Sequence, residues 1–169
     1  MSLMRRVWLL VLGVMLVSLL GSVAVSAGSM RHLLQTEVQL KNADNAAALA
    51  LALSQQGGDA ALMELLISAQ FDTGHYQSVR WRKADGTLAF ERSAAARAST
   101  APAWFVALTP ITVDPGLAQV SNGWNAIGSV EVRSHSAYAH DELWHGTLRT
   151  AALLAGVAAF ALVAVLPRA

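Results

Sequence analysis

The sequence predicts an α+β domain held between two transmembrane helices, with helices first and an antiparallel sheet after them. Three observations carry this. The chain of 169 residues is 54% hydrophobic and 14% charged, against about a quarter charged in ordinary globular proteins. The excess is confined to two stretches, Val7–Ala27 and Thr150–Leu166, neither of which holds a charge. Between them, a helical pattern gives way to strand alternation punctuated by Asp-Gly and Asn-Gly turn signals. Disorder, a collagen-like fibre and a disulfide scaffold are excluded, the last because the chain has no cysteine.

Residues 1–6 are read as a cytoplasmic N-terminus and 7–27 as the first span. Twenty-one uncharged residues make a helix of about 31 Å, the thickness of a hydrocarbon core. Arg5 and Arg6 precede the span and Trp8 sits at its interface, where basic and aromatic anchors contact lipid. Val25-Ser26-Ala27 also has the small residues of a signal-peptidase site. The apolar stretch is longer than a signal peptide's and the helical pattern runs on unbroken, which favours an uncleaved anchor.

The second span is predicted over 150–167, shorter and alanine-rich, with Trp144 before it and a stub at 168–169 after it. Arg5 and Arg6 orient the N-terminus inward. Residues 28–149 then lie outside, in the periplasm of a bacterial inner membrane. This segment carries nine Lys/Arg and eleven Asp/Glu, so it offers no basic footprint for nucleic acid.

Within 28–149 a helix is predicted from Ser29 to about Gln56, marked by Leu34, Val38, Lys41 and Asn45 and stopped by Gly57-Gly58. Asp59 caps a second helix from Ala60 to about Gln70, with Leu62, Leu65, Leu66 and Ala69 on one side. Phe71–Tyr76 reads as a turn. Strands follow around Val79–Lys83 and Leu88–Arg92, joined through Asp85-Gly86 read as a two-residue turn with positive φ at both positions. Residues 93–101 are a loop and Trp104–Leu108 a short apolar element. Leu117–Ser121 and Ile127–Ser134 pair around Asn122-Gly123-Trp124-Asn125, and a helix from about Ala137 leads into the second span. Val79, Trp81, Leu88, Phe90, Val130 and Val132 are the expected inward residues, with Arg80, Arg82 and Glu91 on the solvated face.

No catalytic constellation emerges. The sequence has no nucleophile elbow, phosphate loop or cysteine nucleophile. His135, His140 and His145 fall five apart and cannot share a helix face as metal ligands, so they read as solvated or interfacial. Asp141 and Glu142 point apart on one helix, and Asp72 near His75 reads as a turn cap. The expectation is a non-enzyme without metal or cofactor. Trp124 asks for explanation. At a hairpin tip a side chain usually faces water, while the general burial of large apolar residues favours folding back on the sheet. An exposed Trp would be a partner-binding anchor.

The run Asn42–Ser54 (NADNAAALALALS), Phe71–Arg80 (FDTGHYQSVR), Trp104-Phe105, Ser121-Asn122-Gly123-Trp124 and Val130-Glu131-Val132 before Ser134-His135 resembles the N-terminal periplasmic module of LapD-type cyclic di-GMP receptors, the LapD/MoxY N-terminal family. The resemblance covers nearly all of residues 1–166. It implies a PAS-like fold that forms a homodimer with exchanged elements. It also implies capture of LapG, a periplasmic calcium-dependent cysteine protease that otherwise cuts a surface adhesin and releases the biofilm. The family's tip Trp inserts into the protease, and Trp124 matches it, flanked by Asn122, Gly123 and Asn125. In the family, HAMP, GGDEF-like and EAL-like domains follow the second span and sense cyclic di-GMP. This sequence ends at Ala169, so cyclic di-GMP is expected to act only through domains absent from it, whether the polypeptide is a truncated receptor or a stand-alone module. A periplasmic small-molecule sensor and a partnerless structural module are the rival readings.

Overall fold

The computed structural model describes residues 3–73, 76–95 and 97–165. Eight elements follow in chain order: α1 (Leu3–Ser54), α2 (Ala60–Thr73), β1 (Tyr76–Lys83), β2 (Leu88–Ser93), α3 (Ala103–Leu108), β3 (Gly116–Asn122), β4 (Asn125–Ser134) and α4 (Ala137–Val165). Contacts divide the chain into two compact units, one of residues 1–33 with 141–169 and one of 34–140.

In the first unit, α1 carries the apolar stretch without a break. Its best 18-residue window has a mean hydropathy of 2.5 and none of it is buried. Among the described residues, α1 is the one helix long and apolar enough to cross a membrane. The predicted second span follows α4 as far as Val165; Leu166 and Pro167 lie outside the described residues. Arg6 is exposed, Trp8 and Trp144 are half-buried, and the Arg5 side chain lies outside what is described. Leu10, Val14, Ser18, Leu154 and Val157 line one apolar groove between α1 and α4.

The second unit is built on a four-stranded antiparallel sheet in the order β2-β1-β4-β3. Period-two alternation works here because one face is covered and the other wet. Val79, Trp81, Val120, Val130 and Val132 face Ala46, Leu49, Ala50 and Leu53 of α1 and Met63 and Ile67 of α2, forming a single core. On the opposite face Arg80 pairs with Glu91 at 2.8 Å and Glu131 at 3.4 Å. The hydrogen bond and charge of Glu91 hold the Arg80 guanidinium above its ordinary pKa. The pair is partly solvated and adds little to stability, roughly 0–1 kcal/mol.

Several expectations are corrected. On α1 the buried line is Leu34, Asn42, Ala46, Leu49, Ala50 and Leu53, with Lys41 exposed and Asn45 only half-buried. Asp59 does cap α2, its carboxylate accepting from the Ala61 and Leu62 amides at 3.0 and 3.3 Å, but the helix continues through Phe71-Asp72-Thr73. Its buried side is Met63 and Ile67 with Leu66 partly covered, while Leu62, Leu65 and Ala69 face solvent. The helix is apolar on more than one side, so its spacing does not select a face. Trp104–Leu108 belongs to a helical turn, with Phe105 inside and Trp104 exposed.

Leu88 is also exposed. A register shift between Trp81 and Arg82 sets Leu88 opposite Arg82 and takes it off the core face. The Asp72 carboxylate accepts from Arg92 Nη2 at 3.3 Å, while residues 74 and 75, on which its reading as a turn cap depends, lie outside the described residues. His140 is buried rather than solvated, its Nδ1 3.0 Å from the Ser136 carbonyl, whereas His145 is exposed.

Candidate functional site

β3 and β4 are joined by Gly123 and Trp124 alone, since Asn122 and Asn125 still pair with each other. A two-residue hairpin loop closes with the strand twist only in a primed turn. Gly123 supplies the required positive φ, 64°, and no non-glycine residue of the described chain has one. Positive φ at the first loop position alone is the type II′ pattern, with glycine first and any residue second. The turn therefore needs glycine at 123 and leaves 124 free to be a tryptophan.

Trp124 is 103% exposed. Of the two readings left open by the sequence, burial against the sheet is excluded and projection into solvent holds. Such a ring, about 150–250 Å² of apolar surface, has no partner to bury it within the hairpin. Asn122, Gly123 and Asn125 beside it are exposed too, and none of the four bears a charge. The tip can do one thing chemically: offer an aromatic anchor flanked by neutral hydrogen-bonding groups.

The structure brings together residues the sequence reading did not. The β3–β4 register shifts between Val120 and Ser121, so that Val120 lies opposite Gly128 and Ser121 opposite Ala126, leaving Ile127 as an extra residue on β4. Ser121 N–H, on the edge strand, donates to Ser54 Oγ at 3.1 Å, and Ser54 Oγ–H donates to the Ala50 carbonyl at 2.7 Å. Asn122 Nδ2 donates to the Gly57 carbonyl at 3.3 Å. At the open end of the same hairpin, fully buried Asn42 donates to the Asp114 carbonyl at 3.2 Å and accepts from Ser134 N–H at 3.1 Å. Gly116 lies against the Asn42 carbonyl so closely that a Cβ would collide with it. α1 thus holds β3–β4 at Asn42 and again at Ser54, twelve residues or about 18 Å further along.

One signal for Asn42 was present in the sequence. Residues 34, 38, 42, 46, 49, 50 and 53 form one helical stripe, and Asn42 is its polar member. A buried polar side chain on an apolar stripe is expected to bond something. The bulge at Ile127 has no comparable signature.

A second feature lies elsewhere in this unit. A hollow of about 190 Å³ is bounded by Glu37, Lys41 and Asn45 of α1 with Tyr76, His135 and Tyr138. Among the described residues no group of three or more His, Cys, Asp or Glu is placed to hold a metal ion.

Comparison with known proteins bears on this geometry. No curated protein matches the sequence. A solved structure, the LapD periplasmic domain of Pseudomonas fluorescens, is 36% identical over 73% of this chain and 98% of its own, with a TM-score of 0.42. The family profile described as the LapD/MoxY periplasmic domain matches residues 23–144. That match spans α2, all four strands and the Trp124 turn, together with most of α1, and the chain belongs to the LapD/MoxY periplasmic domain family.

Proposed function

We propose that residues 28–149 form the PAS-like periplasmic output domain of an inner-membrane signalling receptor, tethered by two spans, which binds and sequesters a LapG-like cysteine protease. Capture keeps the protease from its adhesin and so favours biofilm retention, in response to cyclic di-GMP sensed by cytoplasmic receptor domains. The domain acts as a homodimer and as a binding module, not a catalyst. Trp124 enters a pocket on the protease, with Asn122, Gly123 and Asn125 at its rim. Arg5, Arg6, Trp8 and Trp144 anchor the spans at the lipid interface.

The observation that carries this reading is the complete exposure of Trp124 on a turn of only two residues. Full solvation of a large aromatic is costly unless a partner covers it, and buried Trp anchors commonly contribute about 2 kcal/mol or more. The test is capture of a LapG-like protease by the full chain in nanodiscs. The native chain should retain the protease, and Trp124→Ala should weaken binding about thirtyfold, equivalent to about 2 kcal/mol. Equal capture by both rejects Trp124 as the anchor.

The hollow beside Lys41 and His135 favours a second reading, a small-molecule sensor, because charged and polar groups converge on it. Absence of protease capture by the native chain, together with a co-purifying small molecule, would decide for that reading.

A further inference from the structure

We propose that Ser54 is a positioning residue for the Trp124 turn: its hydroxyl, with the Gly57 carbonyl, latches the end of β3 to the C-terminal end of α1 and thereby sets how tightly a partner is held. The inference rests on the reading of Trp124 as the partner's anchor and adds to it the device that holds the anchor still.

The latch begins with the bulge. Where Ile127 is inserted, the β3–β4 ladder is interrupted, and beyond it only the pairs Ser121–Ala126 and Asn122–Asn125 remain before the turn. A hairpin end of two residue pairs carrying a fully exposed Trp has little of its own to order it. The two bonds from the α1 end fall on these last residues: Ser121 N–H to Ser54 Oγ and Asn122 Nδ2 to the Gly57 carbonyl. Ser121 lies one pair before the closing Asn122–Asn125 pair on the edge strand β3, so its amide faces away from β4, and the helix end supplies its acceptor.

Local preference at position 54 runs against serine. Ser54 lies in the last turn of a run of strong helix formers, where alanine would serve the helix better. A serine that bonds back to the carbonyl four residues earlier slightly weakens a helix. What Ser54 supplies that alanine cannot is the oxygen that accepts from Ser121. Asn122 then has a role within its own chain: its amide is directed to Gly57, tying the tip instead of serving solely as a contact for a partner.

An anchor that is ordered before binding loses less entropy on docking, and the gain falls mainly on the dissociation rate. Removing the latch should therefore leave the fold and the Trp124 ring in place and shorten the lifetime of the complex.

The chain has no cysteine, which permits a single nitroxide at the tip through Trp124→Cys in the full chain in nanodiscs. Ser54→Ala is expected to sharpen the nitroxide spectrum, reporting a freer tip, while Ser54→Thr keeps the native line shape because it keeps the hydroxyl. Asn122→Ala, at an exposed turn, should also sharpen it. In chains with Trp124 intact, Ser54→Ala should raise the dissociation rate of a LapG-like protease about tenfold, and Ser54→Thr should restore it to within about twofold. An unchanged spectrum in Ser54→Ala overturns the latch whether or not the protease binds. A freer tip with an unchanged dissociation rate overturns its role in holding the partner. If Trp124→Ala captures protease as well as the native chain, the anchor reading has failed, and the spectra alone then decide the latch.

Discussion

The two hairpins of the sheet are built to opposite ends. In β1–β2, Gly86 N–H donates to the Lys83 carbonyl at 2.9 Å and Lys83 N–H to the Thr87 carbonyl at 2.9 Å. Gly86 has φ 82°, and Asp85 does not share its positive φ. This is a three-residue loop, a type I turn followed by a left-handed glycine, not the two-residue turn that Asp85-Gly86 predicts. Asp85 then accepts from both the amide and the hydroxyl of Thr87, at 2.8 and 2.6 Å. The loop satisfies itself with small polar groups and displays nothing. β3–β4 uses a shorter turn, puts its largest side chain at the apex, and draws its support from α1. The contrast separates a turn that closes a sheet from one that presents a residue.

The largest effect that would break this contrast is loss of the support at the open end of β3–β4. Asn42→Ala leaves the Ser134 amide and the Asp114 carbonyl without their partner in two part-buried hydrogen bonds. An orphaned buried polar group costs about 1–3 kcal/mol, and because Asp114 is exposed and Ser134 half-buried the variant should lose about 1–3 kcal/mol in all. Denaturant unfolding of the full chain in detergent, followed by circular dichroism, measures it. A loss below about 1 kcal/mol would show that α1 does not carry the hairpin.

Much of the fold was legible because the signals were local. The end of α1 and the start of α2 follow Gly57-Gly58 and Asp59, and Val79, Trp81, Val130 and Val132 alternate inward as their period requires. The position of Trp124 at a tip also followed from Asn122-Gly123. What failed was register and face. Nothing near Leu88 announces the shift after Trp81, and nothing near Ile127 announces the bulge, because both are settled by strands distant in sequence. In α2 the choice of Met63 and Ile67 over Leu62 and Leu65 depends on where the sheet lies, which periodicity in an apolar helix does not encode. The exposure of Trp124 was equally hidden, since it turns on the type II′ geometry that glycine at 123 permits.

A middle-sized effect sharpens the contrast. Gly86→Ala and Gly123→Ala each force an L side chain into the left-handed region, at about 1 kcal/mol apiece. The two variants should lose similar stability in unfolding experiments. Only Gly123→Ala should weaken capture of the protease, because only that turn aims the anchor. A matching loss of capture in Gly86→Ala would mean that the sheet as a whole, and not the tip, is what the partner reads.

The smallest effect is one of acidity, and it belongs to one hairpin turn and not to the other. The hydrogen bonds from Thr87, side chain first and then backbone, hold the Asp85 carboxyl below its ordinary pKa, with Lys83 adding a weaker pull. A depressed folded value means that the ionised form favours the folded turn. Its contribution is complete above the ordinary carboxylate pKa and disappears as pH falls through the lower folded value. The β1–β2 loop should therefore loosen only in strong acid, where amide exchange at Thr87 accelerates. The residues from Asn122 to Asn125 hold no titratable group, so that turn should show no local transition in the same window. Carbon NMR of the Asp85 carboxyl gives the midpoint directly, and Thr87→Val should move it back up towards the ordinary value. A midpoint at or above that value in the native chain would mean that Thr87 does not organise the loop, and the β1–β2 turn would then rest on its backbone bonds alone.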